Sequence, residues 1–392
     1  MKKLEKSVPV IRFKGFSEAW EQRKFIEIIN RLSKTSNSSI LPKVEYEDII
    51  AEEGRLNKDI SNKFDSRKGI LFQPKNILYG KLRPYLKNWL YPDFKGVAVG
   101  DFWVFEAIEA TPRFIYNLIQ SDSYQKVAND TAGTKMPRSD WTKVSNSSFF
   151  IPKESSEQKR IGTFFKQLDD TIALHQRKLD TLKQMKKGLL QQMFPKSEED
   201  VPKIRFADFD EEWYQRKLGE EFEKINERND GSFGKTHWIS VAKMYFVEPN
   251  KVLSNNIDTR TYVMRKGDIA FEGHSNTDFK FGRFVANDIG PGIVSELFPV
   301  YRHKTNYDNN YWKNAIQLEH IMAPIYSKSI TSSGNSSNKL DSKHFLNQKI
   351  YIADFEEQEK IGSIFKQLDN TIILYQNKLN KFDILKKAYL QT

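Results

Sequence analysis

Cysteine is absent from this 392-residue chain. That excludes disulfides, thiolate metal sites and a cysteine nucleophile, and it fits a reducing, cytoplasmic setting. Long apolar runs are missing as well, so no stretch approaches the ~20 residues of a membrane span. Met1-Lys2-Lys3 is basic, but no apolar run follows to make a signal peptide. The histidines (His175, His237, His274, His303, His320 and His344) show no ligand spacing, so no metal is expected.

Catalytic motifs are equally scarce. Asn229-Asp230-Gly231-Ser232-Phe233-Gly234-Lys235-Thr236 comes near a phosphate-binding P-loop, but Asn229 stands where the first glycine belongs. Charged Glu227-Arg228 precedes it in place of a buried strand, and β-rich His237-Trp238-Ile239-Ser240-Val241 follows in place of a helix. Pro92-Asp93 opens like a metal-dependent nuclease motif with no Glu-x-Lys on a neighbouring strand. Glu157-x-Lys159 falls at a helix start and reads as surface charge. The Asn-Pro-Pro or Asp-Pro-Pro context of an adenine methyltransferase is missing too. The chain is expected to perform no chemistry of its own.

What is present is charge and repetition. Lys and Arg number 62 against 51 Asp and Glu, a formal net charge of +11, which favours a polyanionic partner over none. From Glu157-Gln158-Lys159-Arg160-Ile161-Gly162 onward, apolar residues step in alternating fours and threes: Ile161, Phe165, Leu168, Ile172, Leu179, Leu182, Leu189 and Met193. That is a coiled-coil seam, with His175 as a polar, register-setting member. Ser155 and Gln158 predict a capping-box start, and Pro195 stops the helix after Phe194. The same text returns 200 residues later, with seam positions Ile361, Phe365, Leu368, Ile372 and Leu379.

A second duplication is offset by 193 residues. Val8-Pro9-Val10-Ile11-Arg12-Phe13 leads through Phe16 and Trp20 to Gln22-Arg23-Lys24; Val201-Pro202-Lys203-Ile204-Arg205-Phe206 leads through Phe209 and Trp213 to Gln215-Arg216-Lys217. The chain is therefore two half-copies, each ordered box, body, long helix. This predicts an N-terminal box at 1–24, a first body at 25–150, a central helix and linker at 151–200, a second box and body at 201–350 and a C-terminal helix at 351–392. Paired along their seams, the helices would run antiparallel about a pseudo-twofold axis. The bodies align only weakly. Strand 76–79 matches 268–271, Gly96-Val97-Ala98-Val99 matches Gly292-Ile293-Val294-Ser295, and one helix from Pro112 to near Val127 matches another over roughly 311–322. The fold class expected is α+β, two α/β recognition domains in tandem separated by two long helices.

Binding candidates lie where the bodies differ. Gly80-Lys81-Leu82-Arg83-Pro84-Tyr85-Leu86-Lys87 puts Lys81, Arg83 and Lys87 directly after a strand; Arg and Lys can bond guanine or anchor phosphates. Tyr85 reads as core. At the matching place the second body has Glu272-Gly273-His274-Ser275-Asn276, then Lys280 and Arg283. Two glycine turns add Thr134, Lys135 and Arg138 in one body and Ser336, Asn338 and Lys339 in the other, suited to phosphates or base edges, or simply to a solvated loop. Trp20, Trp213, Phe13 and Phe206 are expected to pack against the helix ends.

The Arg-Phe-x-x-Phe-x-x-x-Trp box, Lys81-Leu82-Arg83-Pro84-Tyr85 and the duplicated Glu-Gln-x-x-Ile-Gly helix resemble the specificity (S) subunit of type I restriction–modification enzymes, over essentially the whole length. The resemblance implies two target-recognition domains, each reading half of a bipartite, asymmetric site in double-stranded DNA. It implies helices that dock two methyltransferase (M) subunits, and restriction (R) subunits that complete the nuclease. S-adenosylmethionine, ATP and Mg²⁺ are then expected on those partners, with no cofactor in this chain. The second body lacks Lys-Leu-Arg-Pro-Tyr, which departs from that pattern. A duplicated RNA-binding scaffold and a nuclease with an unrecognised site are the competing readings.

Overall fold

The computed structural model describes residues 9–131, 135–196, 199–253, 257, 260–333 and 337–391. The chain divides into two compact units, one of Met1–Arg177 with Gln376–Thr392, the other of Lys178–Tyr375. Each long helix contributes to both units: the central helix spans Ser155–Gln192 and the terminal helix Phe355–Leu390.

Unit one is built on a four-stranded antiparallel sheet in the spatial order Ile29–Leu32, Phe102–Ala107, Ile77–Gly80, Trp89–Leu90. Ile77, Leu78 and Tyr79 are all buried, because both faces of this strand are covered. One face packs on the helices through Phe25, Phe105, Tyr124 and Phe149. The other meets a second sheet, Thr35–Ser36, Gly69–Phe72, Gly96–Ala98 and Lys43–Val44, through Phe72, Leu78 and Val104. Gly96–Ala98 and Phe102–Ala107 thus belong to different sheets; Gly100, at φ 101°, makes the corner between them.

Unit two repeats the order: Phe222–Ile225, Val300–His303, Ile269–Glu272, Arg283–Ala286, all antiparallel. In both units the box strand pairs with the strand just before the long helix, Glu21–Lys24 with Ser148–Ile151 and Tyr214–Lys217 with Lys349–Ile352. The body helices differ from the sequence expectation. Each predicted helix is two: Pro112–Leu118 and Asp122–Ala128 in unit one, Asn309–Ala315 and Glu319–Ser329 in unit two. Ser121 makes the first break, its hydroxyl donating to Leu118 O at 2.7 Å and capping Tyr124 N. Leu318 makes the second by adopting an extended backbone, φ −79° and ψ 109°.

The Glu-Gln-x-x-Ile-Gly signature is the point where helix, box and body meet. Glu157, 1% exposed, accepts from Nε and Nη2 of the Arg12 guanidinium at 2.6 and 2.8 Å and from the Trp20 indole N–H at 3.4 Å. Glu357 holds Arg205 at 2.8 and 2.9 Å and Trp213 at 3.0 Å. These hydrogen bonds raise both guanidiniums above their ordinary pKa. The surface-charge reading of Glu157 is therefore wrong: a bidentate partner 145 residues away neutralises it in the interior. The capping-box reading fails too. Gln158 accepts from Thr111 N at 2.8 Å and donates to Pro152 O at 2.8 Å, while Gln358 accepts from Asp308 N and donates to Ala353 O. Glycine follows because the body crowds the helix: a Cβ on Gly162 would lie 2.9 Å from Arg113, and one on Gly362 1.9 Å from Asp308.

Within each unit the long helices pair antiparallel. In unit one the contacts are Phe164 with Tyr389, Asp169 with Lys386 at 2.8 Å, and His175 with Phe382. In unit two they are Lys178 with Tyr375, Lys186 with Asp369 at 2.6 Å, and Phe194 with Phe365. The two salt bridges are one pair with its partners exchanged by the repeat. Of the predicted seam, Phe165, Leu168, Leu179, Ile361, Phe365, Leu368 and Leu379 are buried; Ile161, Ile172, Leu182 and Ile372 are half-buried.

Candidate nucleic-acid interface

In unit one the strand Ile77–Gly80 ends against Asn88 and Tyr46, which lie 3.0 Å from where a Gly80 Cβ would stand. The chain then makes a single 3-10 turn, Pro84–Leu86, bracketed by Arg83 at φ 49° and Lys87 at φ 54°. Two left-handed non-glycine residues cost about 1 kcal/mol each, so the turn persists only because its surroundings fix it. Arg83 N donates to Pro137 O at 2.7 Å, Ser139 N to Lys81 O at 2.9 Å, and Leu82 N to the Tyr46 hydroxyl at 3.1 Å. That hydroxyl donates on to Asp101 O at 2.6 Å, and burial raises its pKa. The loop at 81–87 and the one at 135–139 therefore form one surface.

The side chains on this surface are cationic. Asp101 is shared by Arg138, at 3.0 Å, and Lys81, at 3.6 Å, so one carboxylate faces two cations. Lys87 pairs with Glu52 at 3.1 Å. Arg83 and Lys135 are exposed, and among the described residues neither charge has a partner. Tyr85 is not core: it is 55% exposed. Pro84, at the first position of the turn, takes the buried place and directs the next residue outward. Sequence reasoning missed that Tyr85 stands exposed on this surface, and the Arg-Pro-Tyr order was its signal.

Unit two meets the same place with different chemistry. Glu272 is buried at the strand end, where its carboxylate accepts from His274 N at 3.1 Å and contacts the His274 imidazole. Gly273 runs against the hairpin strand Asn338–Leu340: Asn338 N donates to Gly273 O at 2.9 Å, and a Cβ there would lie 2.2 Å from Asn338 O. So here too the two nominated loops are brought together. Three nominated side chains serve the loop itself. The Asn276 amide oxygen accepts from Asp278 N and Phe279 N, Asn338 donates to Lys280 O, and Arg283 lies over the Phe279 ring and donates to Ala242 O. His274, Ser275, Lys280 and Lys339 remain exposed. Thr134 and Ser336, with their glycines, lie outside the described residues.

Among the described residues no group of His, Asp and Glu could hold a metal ion, and no helix is long and apolar enough to cross a membrane. Residues 17–184 match the family model of the type I restriction modification DNA specificity domain. The chain is similar to the type I restriction–modification system S subunit of M. genitalium, with 13% identity, a TM-score of 0.59, and coverage of 98% of this chain and 97% of that one. It is also similar to a chain from a structure of type I R-M system assembly and conformational transition, with 17% identity, a TM-score of 0.54, and coverage of 97% and 98%. These likenesses show the fold. No curated protein matches. Residues 17–184 therefore carry a type I restriction modification DNA specificity domain, which gives that part of the chain a role in DNA specificity. The RNA-scaffold reading finds no support.

Proposed function

We propose that each unit reads one half of a bipartite, asymmetric target in double-stranded DNA. The observation that carries this is one position in a shared frame: the segment after the central strand is Lys81-Leu82-Arg83-Pro84-Tyr85 in unit one and Gly273-His274-Ser275-Asn276 in unit two. Arg83 and Tyr85 stand out from a backbone fixed by the hydrogen bonds of Leu82, Arg83 and Ser139, which is the preorganisation a base-reading group needs. Arg83 would bond guanine O6 and N7, with Lys81, Lys135 and Arg138 holding phosphates.

The long helices then dock two methyltransferase subunits, which bring S-adenosylmethionine and methylate adenine, and restriction subunits with ATP and Mg²⁺ complete the nuclease. Leu174 and Leu374, the same repeat position on the two helices, are each about half exposed, an apolar residue left for a partner. The chain itself supplies recognition, in the cytoplasm. Mapping methylated adenines in cells expressing the methyltransferase subunit with and without this chain tests the reading. A two-part motif with an unspecified spacer, present only with this chain, is expected; a contiguous motif, or methylation independent of the chain, would refute it.

A further inference from the structure

Beside the reading segment of each unit stands a short hairpin built to one plan. In unit one Ile49–Ile50 pairs with Arg55–Leu56 across the tip 51–54; in unit two Ile239–Ser240 pairs with Tyr245–Phe246 across the tip 241–244. In both, the second tip residue touches the chain entering the fourth strand of the main sheet. Glu52 N donates to Lys87 O at 3.0 Å, and Ala242 O accepts from the Arg283 guanidinium. The chemistry of the two tips is reversed. Glu52 spans Lys87 at 3.1 Å and Lys387 at 3.5 Å, while Glu53 holds Arg55 at 2.5 Å. In unit two Lys243 stands on the tip and Tyr245, 48% exposed, follows it. Lys243 is exposed, and no carboxylate among the described residues pairs with it. The unit-two tip is also fixed. Met244 holds φ 47°, a left-handed conformation costly to a residue with a Cβ. Its N–H donates to Ser240 O at 2.8 Å, and its side chain packs on the cluster of Ile239, Val241 and Val294.

We infer that the hairpin 239–246 is a second DNA-contacting segment of unit two, with Lys243 on a backbone phosphate and the Tyr245 hydroxyl on the adjoining phosphate or sugar. The inference rests on the proposal that unit two reads a half-site of duplex DNA. Phosphate contacts set the register in which bases are read, and Lys, Arg and Tyr side chains make them. The reading segment of unit one brings Lys81, Arg83 and Lys87, whereas Gly273-His274-Ser275-Asn276 brings no Lys or Arg. A rigid tip docked on its flank through Arg283 supplies a cation and a phenol there. The unpaired cation and the continuity with the reading segment favour the duplex over a protein partner as the occupant. In unit one the acidic tip repels phosphate and serves as a brace between Lys87 and the terminal helix.

Photocrosslinking tests the contact. The full chain, bound with its methyltransferase subunits to a duplex carrying the mapped motif, is given p-benzoylphenylalanine at one of three exposed positions. These are Tyr245, Ser275 in the reading segment, and Lys266, which precedes the same central strand at its other end. Tyr245→p-benzoylphenylalanine should crosslink to the second half-site severalfold more than the probe at Lys266, as should the probe at Ser275. Crosslinking from Ser275 with none above the Lys266 level from Tyr245 would overturn this inference and leave the half-site reading standing. Crosslinking from neither would overturn both, and a Tyr245 crosslink to a methyltransferase subunit in place of DNA would also overturn the assignment. In binding titrations Lys243→Ala should weaken affinity severalfold at cognate and unrelated duplexes alike. It should also lower the slope of log affinity against log salt by about one. Lys243→Arg should restore both, and Glu53→Ala on the unit-one tip should weaken neither. Unchanged affinity and slope for Lys243→Ala would remove the phosphate contact.

Discussion

The same four-stranded sheet carries two different loops, and the contrast shows where this chain spends identity and where it does not. After Gly80 the backbone is locked by two left-handed residues and leaves Arg83 and Tyr85 outside. After Glu272 the locking is done by Gly273 against Asn338, and much of the polar chemistry turns inward to hold the loop. The frame beneath shows no such freedom. Arg12, Trp20, Glu157 and Gln158 make the same kinds of contact as Arg205, Trp213, Glu357 and Gln358: a bidentate ion pair, an indole N–H on the same carboxylate, and a glutamine amide that accepts from the body. Removing one member of a buried ion pair that also satisfies an indole N–H leaves the other groups unpaired, whereas an exposed loop side chain can change without that cost.

The sharpest way to break the frame is to charge its seam. Leu168 and Leu368 are equally buried, and glutamate at either site places an unpaired carboxylate in the helix pair. Each substitution should cost about 4 kcal/mol in denaturant unfolding and abolish co-purification with the methyltransferase subunit. Retained assembly by Leu168→Glu would remove the seam from the account. Next in size is the clamp. Glu357→Ala leaves Arg205 and the Trp213 N–H without their partner and should cost about 3 kcal/mol; Glu157→Ala should cost no more, since its Trp20 contact is 0.4 Å longer, 3.4 against 3.0 Å. A clamp loss below 1 kcal/mol in both would count against its structural role.

The reading loop should respond differently. Arg83→Ala is expected to lose about 2 kcal/mol of discrimination at one position of the first half-site, leaving overall fold and the second half-site untouched. Lys135→Ala should instead weaken binding at all sequences and flatten its salt dependence. A uniform fall for Arg83→Ala would make it a phosphate contact.

The smallest effect separates the units by pH. His303 pairs across the sheet with Phe222, as Ala107 pairs with Ile29, so only unit two carries a histidine there. Burial pushes His303 down to about 3, and neither ring nitrogen has a partner among the described residues. Between that value and its ordinary 6.5 the unfolded chain binds a proton that the folded chain does not, so stability falls as pH falls. The loss should approach about 1 kcal/mol per pH unit below 6, and His303→Phe should remove it. Equal slopes for the two proteins between pH 7 and 5 would refute that origin.

Much of this was legible because the chain states it twice. The duplicated box and helix marked the tandem layout and the two long helices before any coordinates. What failed was tertiary in origin. Glu157 looked exposed because its partner is distant in sequence, and Gln158 looked like a cap because Ser155 precedes it, while its real partners are Thr111 and Pro152. Tyr85 looked like core because aromatic residues usually are, and a buried Pro84 reversed it. The body helices looked continuous because a serine hydroxyl or one extended residue can end a helix without a glycine or proline.

The central claim is that recognition is modular, one half-site to each body on an invariant frame. Exchanging residues 25–150 for the corresponding body of another specificity subunit, and then sequencing the methylated adenines, tests it most directly. The account predicts that the first half of the motif changes to that of the donor while the second half stays as it was. A change in both halves, or retention of the original first half, would contradict it.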